Sequence, residues 1–229
     1  MTEMSFTPAL GRKGLSGAYD LAIRLLTRER AWRKALLEQV DPRAGDAIVD
    51  VGCGTGTFAI MLKQAAPGVR IVGLDPDPAI LAIAAAKAEA AGVQIEWRRG
   101  FANEAADLGT VFDKAVSSLV FHQVPLPMKR AGIVAMAAAV GLGGEVHIAD
   151  YARQSSGLMR RLFRMTVQRV DGLADTQPNA DGVLESIIGE HEAGAARPTR
   201  IVPTPTGAIS LFRLVNASGP GRVAPGDAM

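Results

Sequence analysis

A single cysteine among 229 residues excludes internal disulfides and any multi-cysteine metal site. The formal net charge of +2 is too small to imply a nucleic-acid partner. The longest apolar stretch, Ala131 to Leu142, is too short and too alanine-rich to span a bilayer. Met1-Thr2-Glu3-Met4 lacks the charged-then-apolar order of a signal peptide, so the expected compartment is the cytoplasm. No repeat and no second domain is visible. The length suits one α/β domain with some decoration, and a hydrophobic content of 48% is ample for its core.

What the chain does have is a glycine cluster in a telling place. Ile48 to Val51 is a short apolar run of the kind a buried parallel strand shows. Gly52, Gly54 and Gly56 follow, and from Phe58 the pattern turns helical through Ile60, Met61, Leu62, Ala65 and Ala66. The glycines therefore occupy a strand-to-helix turn, where a backbone without Cβ atoms lets a ligand lie against it. The helix N-terminus beyond offers free N–H groups. This is a cofactor cradle.

Its spacing bears on which cofactor. Dinucleotide folds carry G-x-G-x-x-G, the third glycine permitting close helix–strand packing. Here the run is G-x-G-x-G and the third-glycine position is Thr57. Nineteen residues after Gly56, the apolar run Ile71-Val72-Gly73-Leu74 ends in Asp75, an acid placed to accept hydrogen bonds from a ribose diol. NAD and S-adenosylmethionine (SAM) sites share that feature.

VDVGCGTG together with IVGLD resembles the class I SAM-dependent methyltransferases. Tyr19-Asp20, and Trp32-Arg33 ahead of the glycine loop, look like the N-terminal part of the ubiquinone/menaquinone-biosynthesis C-methyltransferases and their relatives. The resemblance implies an α/β, Rossmann-like fold: a seven-stranded, mostly parallel sheet, a C-terminal antiparallel hairpin, and helices on both faces. It implies SAM as cofactor and no metal. Gly52, Cys53 and Gly54 would lie along the methionine moiety and Asp50 would order that loop, with Asp75 and the adjoining Pro76 at the ribose. Ser118 and Leu119 would line the methyl site.

The resemblance covers Tyr19 to Tyr151, and the C-terminal third only in outline. Gly100-Phe101-Ala102 stands where the family often reads Gly-Asp-Ala, so Phe101 and Ala102 are expected beside the adenine without the acid. Phe112 to His122 resembles the fourth strand and the loop after it. That address makes His122 the candidate catalytic base, with an unperturbed pKa near 6.5; the alternative is a hydrogen-bonded packing residue. Tyr19, His122 and Tyr151 are the candidate acceptor contacts.

The remainder reads as follows. Residues 1–17 form an N-terminal arm, 18–215 the methyltransferase domain, and 216–229 a Gly/Pro/Ala-rich tail expected to be disordered. A helix is expected from Ala18 to about Val40, a third strand at Val93–Trp97, and a helix from Pro127 ended by Gly141 to Gly144. Gln154 to Val170 reads as a basic amphipathic helix (Arg160, Arg161, Arg164 and Arg169) that lies over the core, holds an anionic acceptor, or meets an anionic membrane. Asp171 to Pro198 shows one helical run, Val183 to Ile188.

The acceptor is expected to be a small molecule or lipid, through a quinone-type carbon, hydroxyl or amine. Nucleic acid is not expected, because Ser118-Leu119-Val120-Phe121 replaces the Asn/Asp-Pro-Pro-aromatic run of amino-directed DNA enzymes. Two rival functions stay open: an NAD-dependent oxidoreductase, and a catalytically silent SAM-binding protein.

Overall fold

The computed structural model describes residues 28–191 and 196–217. Five strands run parallel: β1 (Ala47–Val51), β2 (Arg70–Asp75), β3 (Glu96–Arg99), β4 (Phe112–Ser118) and β5 (Val140–Tyr151). They are followed by β6 (Arg200–Thr204) and β7 (Gly207–Val215), with β7 antiparallel to both β5 and β6. The order across the sheet is β3-β2-β1-β4-β5-β7-β6. This is the expected seven-stranded sheet with its closing hairpin.

Eight helices occur among the described residues: α1 (Glu29–Val40), α2 (Thr57–Ala65), α3 (Pro78–Ala90), α4 (Leu126–Ala139), α5 (Gly157–Met165), α6 (Val167–Asp171), α7 (Leu173–Asp181) and α8 (Val183–Gly189). They cover both faces. Ile48 packs toward Trp32 and Leu36 of α1 and Phe58 and Leu62 of α2. Val49 and Val51, pointing the other way, join Ile133 and Met136 of α4. A strand clothed on both sides has no need of polar alternation, which is why β1 and β2 are near-continuous apolar runs.

Chain order reverses at β1, which has β2 on one side and β4 on the other. A crevice opens at such a switch point, at the carboxyl ends of the strands. Register brings Val51 beside Leu74 and Ser117, and Ser118 beside Ala149, so the glycine turn, Asp75, the loop after β4 and the end of β5 gather at one edge.

Several elements differ from the sequence expectation. The third strand starts at Glu96 rather than Val93, because Gly92 and Val93 still bond back to α3 through Glu89 and Ala88. The glycines that end α4 already belong to β5, which begins at Val140. A Cβ on Gly144 would sit 2.9 Å from the Gly141 carbonyl oxygen and 3.0 Å from that of Asp113, so backbones approach there too closely for any side chain. The basic helix is two: Thr166 leaves helical geometry, and its hydroxyl bonds the Leu162 carbonyl at 2.6 Å.

The sequence did not show α7, whose buried positions are Thr176, Asn179 and Ala180 and give no apolar period. Asn179 instead donates to the Tyr151 carbonyl at 2.7 Å, fixing α7 to the end of β5. The first part of the expected N-terminal helix, with Tyr19, and the arm before it lie outside the described residues. So does the tail from residue 218 onward. No helix among the described residues is long and apolar enough to cross a membrane.

Candidate active site

The glycine turn joins β1 to α2. The Gly52 and Cys53 N–H groups both donate to the Leu74 carbonyl (2.8 and 3.1 Å), binding the turn to β2. Gly52 and Gly54 have φ of +69° and +53°, conformations that side chains seldom accept. They differ in their surroundings. A Cβ on Gly52 would collide with Val120 at 2.3 Å, whereas one on Gly54 would meet nothing within 4 Å. The turn is closed by the post-β4 loop on one side and open on the other, as a cradle must be. At the position where a third glycine is missing, Lys87 of α3 donates to the hydroxyls of Thr55 and Thr57 and ties the turn down.

Two carboxylates flank the turn. Asp75 accepts the Gly54 N–H on one oxygen and the Asp77 N–H on the other, both at 3.0 Å. A carboxylate has about four lone-pair sites, so capacity remains for a diol. Burial raises its pKa, opposed by those two N–H groups. Asp50 is 1% exposed, and neither oxygen has a well-formed hydrogen bond among the described residues. Burial lifts its pKa to about 7, opposed by the charge of Arg33 and reinforced by that of Asp75. A buried carboxylate that Arg33 offsets only in part, beside an open cradle, suits a ligand that brings its own positive charge, as SAM does with its sulfonium and ammonium groups. The expected cofactor fits.

Cys53 is a buried packing residue whose thiol pKa is pushed far up by burial. Pro76 presents its carbonyl to Arg99 at 3.3 Å. Phe101 is half-buried, and its N–H donates to Glu104 at 2.6 Å, opening the 3₁₀ turn Ala102–Leu108. Ala102 turns its methyl toward Gly132 of α4. The next residue, Asn103, has a buried amide oxygen without a hydrogen bond among the described residues; nothing in the sequence pattern marked it.

The loop after β4 carries the ionisable chemistry. Leu119 follows Ser118 with φ of +56°, a strained conformation for leucine, held by its N–H bond to Ala149 at 2.9 Å. Asp150, near the end of β5, organises what comes next. One oxygen accepts the Val120 and Phe121 N–H groups (3.0 and 2.6 Å), and the other lies 2.7 Å from His122 Nδ1. The second ring nitrogen, Nε2, faces the Asp171 carboxylate at 3.4 Å, from the last residue of α6. Burial pulls the imidazole pKa down, but Asp150 and Asp171 outweigh it and hold it at about 9. The two carboxylates therefore favour the imidazolium over the half-titrated base its ordinary pKa suggests.

Tyr151 stacks edge-on to His122, ring centroids 5.2 Å apart, while its hydroxyl bonds Thr206 at 2.6 Å. It thus presents a ring to the site rather than a free hydroxyl. Lys129 of α4 is wholly buried, donating to the Phe121 carbonyl and, at 2.9 Å, to that of Asp175. It couples the His122 loop to α7, and burial lowers its pKa to about 8. Sequence reading missed Asp150, Asp171 and Lys129. An acid at the carboxyl end of a strand was a usable signal for Asp150; the other two act through tertiary contacts alone.

A cleft of about 470 Å³ lies at the opposite, amino-terminal ends of the strands. Its cations are already satisfied: Arg43 by Asp41, Lys114 by Asp46 and Arg213 by Glu145. His147 there is buried, with a pKa lowered to about 4 chiefly by burial, and is structural.

Residues 48–144 match the family described as Methyltransferase domain. The chain is 31% identical over 154 residues to a demethylmenaquinone methyltransferase of Thermus thermophilus, the match covering 66% of this chain and 69% of the relative. A second demethylmenaquinone methyltransferase, from Deinococcus radiodurans, is 32% identical over 154 residues, with 66% of this chain and 63% of the relative covered. Among solved structures, the magnesium protoporphyrin IX methyltransferase of Synechocystis PCC 6803 with bound S-adenosylhomocysteine (SAH) superposes with a TM-score of 0.61. That superposition covers 90% of both chains at 18% identity, and at that identity the likeness speaks to fold. With the cradle, its two carboxylates and these matches together, the chain belongs to the class I SAM-dependent methyltransferases, close to the quinone-biosynthesis group, and SAM is its cofactor.

Proposed function

We propose that this methyltransferase acts on a small-molecule or lipid-like acceptor through a hydroxyl or acidic carbon of quinol type, with the His122–Asp150 pair taking the acceptor's proton. The observation that carries the reading is the 2.7 Å contact between these two residues, on a loop whose Val120 packs directly against Gly52. The names of the Thermus and Deinococcus relatives support a quinone-type acceptor. An NAD-dependent oxidoreductase is set aside by the family membership.

SAM supplies a methyl group on a positive sulfur, open to in-line displacement. The chain's task is to align and to keep water out. In this reading the backbone of Gly52, Cys53 and Gly54 holds the methionine part, and Asp50 meets its positive charge. Asp75 and Pro76 hold the ribose, and Phe101, Ala102 and Asn103 border the adenine. Ser118 and Leu119 border the methyl group, and the acceptor lies against His122 and the Tyr151 ring, with Tyr19 a further candidate contact.

An acceptor hydroxyl reaching Nε2 displaces Asp171. The loss of that carboxylate lowers the imidazole pKa, so the ring releases its Nε2 proton to solvent; neutral Nε2 then takes the acceptor's proton, while Asp150 keeps the ring oriented through Nδ1–H. The chain works in the cytoplasm under this reading.

The test is mass spectrometry of cell extract, soluble and lipid fractions, incubated with isotopically labelled SAM. Label is expected in a quinol-type or related small acceptor. Label confined to protein or nucleic acid overturns the reading.

A further inference from the structure

The helices beside His122 expose large apolar side chains where solvent should favour polar groups. Asp171 turns its carboxylate inward to His122, while the residues on either side of the Asp171-Gly172 step, Val170 and Leu173, are 72% and 53% exposed. On α5, Leu158 and Met165 are 62% and 54% exposed and share one helical stripe, being seven residues apart. These four large side chains belong to three consecutive helices that pack on one another, α5 on α6 and α6 on α7. An exposed group of this kind marks an interaction site.

Charge identifies the partner. Arg161, Arg164 and Arg169 are exposed on the same helices, and none forms an ion pair with a described residue; Arg160, by contrast, is engaged by Asp181. A second copy docking symmetrically would set these arginines against their own images. Residues 1–27 carry Arg12, Lys13 and Arg24 against Glu3 and Asp20, so their net charge has the same sign as the surface. An anionic lipid surface complements both features, with aliphatic side chains entering the acyl boundary and guanidinium groups at the headgroups.

We infer that the α5–α7 face docks on an anionic bilayer, placing the roof of the His122 site at the membrane so that an acceptor dissolved in lipid enters from there. The docking does not depend on the methyl-transfer reading; only the identity of the acceptor rests on it.

The probe is vesicles of phosphatidylcholine alone and of phosphatidylcholine with phosphatidylglycerol, co-sedimented with the full chain at low and high salt. Binding is expected to the anionic vesicles only, and to weaken as salt rises. Replacing Arg161, Arg164 and Arg169 together by Gln should weaken it by about 100-fold, at roughly fivefold per arginine. L158S/V170S/L173S should also lose binding, since charge alone does not hold the chain to the surface. SAM titration of the same preparations should be unchanged. That separates a failure of docking from a failure of the cofactor site.

No sedimentation of the wild type, equal binding to neutral vesicles, or a concentration-dependent dimer that the Leu158/Val170/Leu173 variant abolishes would each overturn the inference, the last in favour of a second copy.

Discussion

Asp150 Oδ1 stands 2.7 Å from His122 Nδ1, and the partner oxygen of the same carboxylate takes the backbone of Val120 and Phe121. One side chain therefore orients the imidazole and shapes the loop that closes over Gly52. These two jobs come apart under mutation. His122→Ala removes the proton acceptor and no cofactor contact, so SAM affinity should hold while turnover falls by about 10²-fold or more. Asp150→Asn disturbs the loop as well, and should weaken SAM binding along with turnover. Single-turnover kinetics with titration calorimetry distinguish the two. A fall of less than about threefold in the His122 variant would make it a packing residue.

The same pair sets a pH signature. With Asp171 displaced by acceptor, the imidazole keeps Asp150 and should titrate between its ordinary 6.5 and the value of about 9 it has in the free protein. The pH–rate profile should rise through that interval, and the limb should vanish in His122→Ala. A limb at or below pH 6.5 would mean that Asp150 does not act on the reacting nitrogen.

Stability carries the corresponding sign. The folded pKa of about 9 lies above the unfolded 6.5, so the stabilisation is complete below pH 6.5 and is lost as pH rises through 9. The whole effect is up to about 3 kcal/mol. Lys129, lowered to about 8, titrates in part of that window with opposite sign. The measurable quantity is thus the difference between wild type and His122→Asn in urea unfolding, which should shrink from pH 6.5 to 9. A constant difference would show that the charge on His122 contributes nothing to folding.

Legibility followed the kind of interaction involved. Backbone-level devices left local marks: the glycine turn and the apolar runs of β1 and β2 could be read residue by residue. The seven-stranded sheet and its closing hairpin followed from the family resemblance those marks supported. What stayed hidden is made by contacts between distant segments. His122 has an ordinary address in sequence, but its charge state comes from Asp150 and Asp171, 28 residues and more away. The helix α7 was invisible because its inward face is Thr176 and Asn179, the first bonded to the Gly172 carbonyl one turn back and the second to the Tyr151 carbonyl, which only the fold supplies. Leu119 gave no hint of a left-handed backbone, since leucine has no preference for it.

Asp75→Ala should leave the fold standing but remove the group that accepts from Gly54 and would accept from the ribose. SAM binding is expected to weaken by about 1.5–3 kcal/mol, the scale for lost charge-assisted hydrogen bonds. Calorimetry on a variant with native circular dichroism decides it. Unchanged affinity would mean that the end of β2 does not hold the ribose.

Asp50 gives the sharpest test of how the cofactor is held. Its folded pKa of about 7 exceeds the ordinary 3.8, so ionising it costs stability, with the loss developing as pH rises from 3.8 through 7. A cofactor that brings positive charge favours the carboxylate and must expel the proton where one is present. SAM affinity should therefore fall about tenfold per pH unit below 7 and level off above it. Calorimetry in two buffers of different ionisation enthalpy should show a larger proton release at pH 6 than at pH 8. Asp50→Asn removes the buried charge. The free protein should gain about 1–3 kcal/mol at pH 8 while SAM binding weakens and loses its pH dependence. If the variant binds SAM as tightly as wild type, or if wild-type binding is flat from pH 6 to 8, the cofactor's charge is met elsewhere and Asp50 serves only to order the turn.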